Sequence, residues 1–253
     1  MKGSKRDVTT GALDLQYRFN KVLLKNKVTV ENTVGDESPW GSFSEYTKLN
    51  PYLRPYGEGG EVLKRLDSFL VLTGTRETDY ANPMYNALLN TKNRATNFNV
   101  KNLFSVEYNP NDDWRLIGSF SLAKGNGKTD VFRPAQHTAF DGISDPMKRG
   151  DFRRTQREEL SYSLDLTASY NKLLGDVHYL TANARMSVQE SKNESYGAYV
   201  TGFPNENMDG ILFGKQYDEK MTGSENTLRS IGWAGSFGYS YAYKYSADFS
   251  IRL

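Results

Sequence analysis

Strict alternation of apolar and polar residues is the feature that most constrains this chain. Leu160, Tyr162, Leu164, Leu166, Ala168 and Tyr170 are interleaved with Ser161, Ser163, Asp165, Thr167 and Ser169. A period of two places the first set on one face of an extended strand and the second set on the other. Segments of this kind recur in pairs, with a tight turn inside each pair and a long polar stretch between pairs.

Eight strands follow from the pattern. Thr9 to Phe19 alternates Leu13, Leu15, Tyr17 and Phe19 with Asp14, Gln16 and Arg18, and Asn20-Lys21 turns it into a second strand through Val22, Leu24, Val28 and Val30. Phe98, Val100, Phe104, Val106 and Tyr108 mark the third. The turn residues Asn109-Pro110-Asn111-Asp112 lead to the fourth, with Trp114, Leu116, Phe120 and Leu122. The fifth is the segment quoted first, and the sixth carries Leu180, Ala182, Ala184, Met186 and Val188. The seventh carries Ile231, Trp233, Phe237, Tyr239 and Tyr241, and the eighth Ala247, Phe249, Ile251 and Leu253. Long loops are expected at about 35–93, 125–157 and 191–226.

Composition narrows the function classes. No apolar run approaches the ~20 residues of a membrane helix. Lys and Arg total 32 against 30 Asp and Glu, for a net charge of +2 with no basic stripe, which argues against nucleic acid as a partner. Cysteine is absent, so disulfides, thiolate nucleophiles and thiolate metal sites are excluded. Only two histidines occur, His137 and His178, and neither belongs to a metal-ligand spacing. Gly125-Asn126-Gly127-Lys128-Thr129 lacks the spacing of a phosphate loop and is read as a loop tip. No Ser/His/Asp order is present. The sequence therefore points to no enzyme, catalytic residue, cofactor or metal.

Strands of about 10 to 14 residues exceed the ~5–6 of ordinary sheets and match the ~9–11 that cross a bilayer. Alternating short turns and long loops would gather all long loops on one rim, as in outer-membrane barrels. The expected fold is therefore all-β, a transmembrane antiparallel β-barrel segment with long extracellular loops. Trp114, Trp233, Tyr239, Tyr241, Tyr162 and Tyr170 are expected to face lipid, and Arg115, Arg185, Asp165 and Lys101 the lumen. Residues 2–7 are polar and carry no apolar signal region. Both ends are read as cut, which makes residues 1–253 one partial barrel domain.

The loops hold the candidate binding residues. The first offers Trp40, Phe43, Tyr46, Tyr52, Arg54 and Tyr56, then Tyr80 and Tyr85. The second offers Phe132 and His137, and the third Phe203. Aromatic faces near Asn, Asp and Arg can grip a sugar or a peptide, or dock a partner.

Several short motifs appear in order. They are Ser38-Pro39-Trp40-Gly41-Ser42-Phe43-Ser44-Glu45-Tyr46, Leu49-Asn50-Pro51-Tyr52, Asn82-Pro83-Met84-Tyr85-Asn86, Thr201-Gly202-Phe203-Pro204 and Arg229-Ser230-Ile231-Gly232. Together they resemble the barrel of SusC/RagA-type TonB-dependent outer-membrane transporters. That resemblance implies about eight strands of a 22-stranded barrel, without its plug, signal peptide and last strands. It implies a place in the bacterial outer membrane, contact with its lipid, and import of glycans or peptides. It also implies two protein partners: a SusD-like surface lipoprotein, and the TonB complex acting through the plug. The alternative from the residues alone is a soluble all-β carbohydrate-binding or adhesin module.

Overall fold

The structure is a computed structural model that describes residues 2–43, 47, 49–68, 77–217 and 220–253, with backbone alone at 67–68 and 77–79. Its strands are β1 (Lys5–Phe19), β2 (Val22–Asp36), β3 (Leu53–Tyr56), β4 (Val62–Ser68), β5 (Glu77–Ala81), β6 (Lys92–Asn111), β7 (Trp114–Arg133), β8 (Asp151–Leu174), β9 (His178–Thr201), β10 (Gln216–Tyr217), β11 (Thr222–Tyr241) and β12 (Tyr245–Arg252). A short helix, α1 (Pro83–Leu88), precedes β6. The main sheet runs β1-β2-β6-β7-β8-β9-β11-β12, with β10 beside β9. Strands β3, β4 and β5 form a second, separate sheet.

The register sorts side chains as the alternation requires. Phe104 lies opposite Phe120, Phe120 opposite Leu164, Leu164 opposite Val188, and Val188 opposite Ile231. One position along, Ser105, Ser119, Asp165 and Ser187 form a polar row on the other face. Trp114, Tyr162, Tyr170, Trp233, Tyr239 and Tyr241 share the apolar face, and the Trp114 and Tyr170 rings lie 4.8 Å apart. Lys101, Arg115, Asp165 and Arg185 share the polar face, where Arg185 Nη2 donates to Asp165 Oδ1 at 2.7 Å.

Both sheets are open. β1 and β12 form the edges of the main sheet, and no strand pairing joins them. Closing a barrel requires every strand to have two neighbours, and hydrocarbon does not tolerate the unpaired backbone groups of an edge. The expected transmembrane β-barrel segment, with its count of 22 strands, is therefore corrected. The chain is an all-β domain with two separate open antiparallel sheets, not a closed, membrane-spanning barrel. No helix among the described residues is long and apolar enough to cross a membrane, a statement about helices and not strands.

The strands are also longer than expected. β8 and β9 each run 24 residues, and β6, β7 and β11 each run 20. Their upper thirds carry charge on the face that is apolar lower down, so hydropathy gives no period there. Cross-strand ion pairs hold these stretches in register instead. Arg154 forks onto Asp130 at 2.7 and 2.9 Å, and Arg229 Nε reaches Glu190 at 2.6 Å. Residues 125–129, expected as a loop tip, lie inside β7 opposite Glu159 to Thr155.

Candidate functional site

The buried core sits at the loop-bearing rim rather than in mid-sheet. Phe132 and Phe152 are 0% exposed and lie opposite one another on β7 and β8, with Val200 of β9 next in the row. Phe203 completes the cluster from the following loop, its ring edge-on to Phe132 at 5.1 Å, and Ile211 packs against it. To enter the cluster the chain turns sharply at Gly202. A φ of +78° and the carbonyl of Met147, 2.8 Å from where a Cβ would stand, leave no room for a side chain.

Charged pairs fix the surrounding loops. Asp151 is 3% exposed and accepts from Arg133 Nε at 2.9 Å and from the Tyr199 hydroxyl at 3.2 Å. The Arg133 guanidinium also lies 5.4 Å from the Phe140 ring. Asp141 bridges to the small sheet through Lys64 and Arg65. Burial works against its charge, but those two cations hold its carboxyl below the usual range. Asn86 of α1 and Thr138 exchange two hydrogen bonds, of 2.6 and 3.1 Å. Lys92 pairs with Asp209 at 3.0 Å, and Asn90 Nδ2 donates to the Glu206 carbonyl at 2.8 Å. Segments 82–91, 134–150 and 202–217 thus form one cap.

Asn82 organises the first part of that cap. It is 1% exposed, precedes Pro83 at the start of α1, and accepts from the Met84 N–H at 3.0 Å. Its amide nitrogen donates to the Pro55 carbonyl at 3.0 Å and to the Leu63 carbonyl at 2.7 Å. An N-cap Asn before Pro is a helix-start signal, and here the same side chain also ties the helix to the small sheet. Beside it lies a cavity of about 330 Å³ walled by Trp40, Pro51, Leu53, Pro55, Pro83 and Met84. A second cavity, of about 540 Å³, is lined by Lys5, Asp36, Lys92, Arg133 and His137.

The loop residues expected to make contacts occupy different settings. Trp40 is half-buried in the first cavity wall. Tyr52 is 83% and Phe43 67% exposed, and Tyr56 and Tyr80 are also exposed. Arg54 is half-buried, as is Tyr85, whose ring lies 5.9 Å from Lys64 Nζ. Tyr46 lies outside the described residues. Phe132 and Phe203 are buried against one another. His137 lines the second cavity, and its Nδ1 accepts from the Ala139 N–H at 3.0 Å. Burial, then the nearby Arg133, lowers its pKa to about 4. Sequence reasoning did not single out Leu53, Arg133 or Asp151 as parts of the site. An Asn directly before Pro is the signal that could have marked the start of α1.

Comparison with solved structures matches nearly the whole chain. A structure of the RagAB peptide transporter aligns with a TM-score of 0.76 at 17% identity, over 98% of this chain and 28% of the other. RagAB peptide importer structures in the open-open and closed-closed states give TM-scores of 0.69 and 0.71, at 18% and 17% identity. The likeness is one of fold. The chain spans 27–28% of the length of these relatives. No family model matches it, and comparison with curated proteins finds no match.

At 17–18% identity the likeness establishes the fold alone. The reading of the chain as part of a TonB-dependent importer of glycans or peptides is corrected, because an open sheet encloses no channel. The matching relatives are transporters, the chain has no cysteine, and no group of three or more His, Asp or Glu among the described residues could hold a metal.

Proposed function

We propose that this chain is a non-enzymatic all-β binding module of the adhesin kind, whose loop cap engages an extended peptide segment. The observation that carries the reading is the pairing of a firmly anchored cap with exposed rings. Ion pairs and the Phe132 cluster hold the cap, while Tyr52, Phe43, Tyr56 and Tyr80 remain open to solvent. Rigid amphipathic rings supply contact area at small entropic cost. The fold likeness to a peptide transporter supports a peptide as the ligand. It also supports association with the outer membrane and a SusD-like surface lipoprotein as the docking partner.

A carbohydrate ligand is the second reading, favoured by the flat, 83% exposed ring of Tyr52, on which a sugar can stack. Calorimetric titration of the full chain with a pooled peptide library and, separately, with neutral oligosaccharides tests both. Saturable heat with peptides that is lost in a Tyr52→Ala, Phe43→Ala double variant supports the first reading. Heat with oligosaccharides alone supports the second, and no heat with either refutes the module.

A further inference from the structure

We propose that the cavity under Trp40 receives one apolar side chain of a peptide, an assignment that rests on the reading of the loop cap as a peptide-binding surface. Its volume, about 330 Å³, lies at the lower end of ligand pockets, roughly 300–1,000 Å³. Its walls are preformed. Pro51, Pro55 and Pro83 each fix a backbone angle, and Asn82 clamps the segments that bear them.

The lining chemistry selects the occupant. No charged residue lines the cavity, so a phosphate or carboxylate has no counter-ion there. Polar atoms reach the wall from Asn50, Asn82 and the indole N–H of Trp40. Asn82 spends both donors on the Pro55 and Leu63 carbonyls and its oxygen on the Met84 N–H. Asn50 Oδ1 accepts from the Tyr52 N–H at 3.0 Å. A sugar would find only the Asn50 amide nitrogen and the Trp40 indole N–H to answer its several hydroxyls, and would forfeit most of its hydration. A leucine or phenylalanine side chain forfeits little and gains contact with Trp40 and the adaptable Met84.

The neighbouring backbone favours a peptide over a free hydrocarbon. Leu53 and Pro55 belong to β3, which among the described residues has a strand neighbour on one side only. An extended peptide alongside such an edge gains main-chain hydrogen bonds while alternate side chains enter pockets.

Methyl-labelled methionine in the full chain provides the test, because Met84 lines the cavity while Met147, Met186 and Met208 lie elsewhere. The ligands are the N-acetylated tripeptide amides Ala-Leu-Ala, Ala-Phe-Ala and Ala-Asp-Ala, together with maltotriose. The Leu and Phe peptides are expected to move the Met84 resonance saturably, and the Asp peptide and sugar to leave it in place. Leu49→Trp, which fills the cavity, should weaken binding about tenfold or more with the Met186 and Met208 resonances unmoved. If that variant does not fold, Leu49→Phe serves the same purpose. A silent Met84, an equal response to the Asp peptide or sugar, or unchanged affinity in the filled variant overturns the assignment. Movement of Met147 or Met208 with Met84 silent overturns the cavity assignment and leaves the binding module standing. No movement at any methionine overturns both.

Discussion

Replacing Asn82 by alanine removes three hydrogen bonds at one buried point. The Pro55 and Leu63 carbonyls and the Met84 N–H each lose their partner. A buried polar group left unpaired costs about 1–3 kcal/mol, and loss of an N-cap about 1 kcal/mol within that sum. Water can reach part of the half-buried surroundings, so the lower bound applies, about 3 kcal/mol in all. That is a large share of a typical domain stability of ~5–15 kcal/mol. Since 1.4 kcal/mol is a factor of ten, amide exchange in β3, β4 and α1 should accelerate about a hundredfold, with the centres of β8 and β9 unchanged. Hydrogen exchange read by mass spectrometry measures this directly. Asn82→Asp provides a sharper contrast. It keeps the acceptor for Met84 but turns two donors into a charge facing two carbonyls, so it should be worse than alanine at neutral pH. It should recover on acidification, when the protonated carboxyl regains one donor. Exchange at Met84 within about twofold of wild type in Asn82→Ala would refute the idea that this side chain organises the cap.

Arg133→Met should destabilise the cap by about 3–5 kcal/mol, seen as a lower urea midpoint, because it strands the 3% exposed Asp151 carboxylate without its cation. His137 is held neutral in the folded state with a pKa of about 4, below the ~6.5 of an unfolded chain, so stability should fall as pH drops from about 6.5 toward 4. His137→Gln should flatten that decline. The further loss at lower pH, where Asp130 and Asp141 protonate, should remain. The tight turn between β11 and β12 places Ala242 and Tyr243 at φ values of +49° and +56° and closes with Lys244 N–H to the Tyr241 carbonyl at 2.9 Å. Putting Asn-Gly at 242–243 should raise thermal stability by about 1–2 kcal/mol, because both positions demand the left-handed region.

The sheet was legible wherever its two faces differ in polarity. The rows through Phe104, Leu164 and Ile231 follow directly from a two-residue period. Legibility stopped where the same strands carry charge on both faces. Arg154 and Asp130 look like loop residues until their pairing across two strands is seen. The Phe132 cluster was equally hidden, since Phe132, Phe152, Val200 and Phe203 come from distant segments and each alone is one aromatic or aliphatic residue in a polar context. Closure was inferred from analogy with barrels, and hydropathy carries no signal about whether the first and last strands meet. For the site, Asn82-Pro83 was read only as part of a loop motif, and nothing local shows that its amide starts α1 and reaches back to Pro55 and Leu63.

Each strand of the main sheet is hydrogen-bonded to the next one along the chain, apart from the excursions through the small sheet and β10. Such a sheet behaves as a one-dimensional array, in which each hairpin is stabilised chiefly by the pair on either side. Excising or inserting one whole hairpin would preserve the register of the others, because an even number of strands restores both direction and face. Length in this architecture can change in steps of two strands, with the decorated rim and the tight-turn rim each staying on its own side.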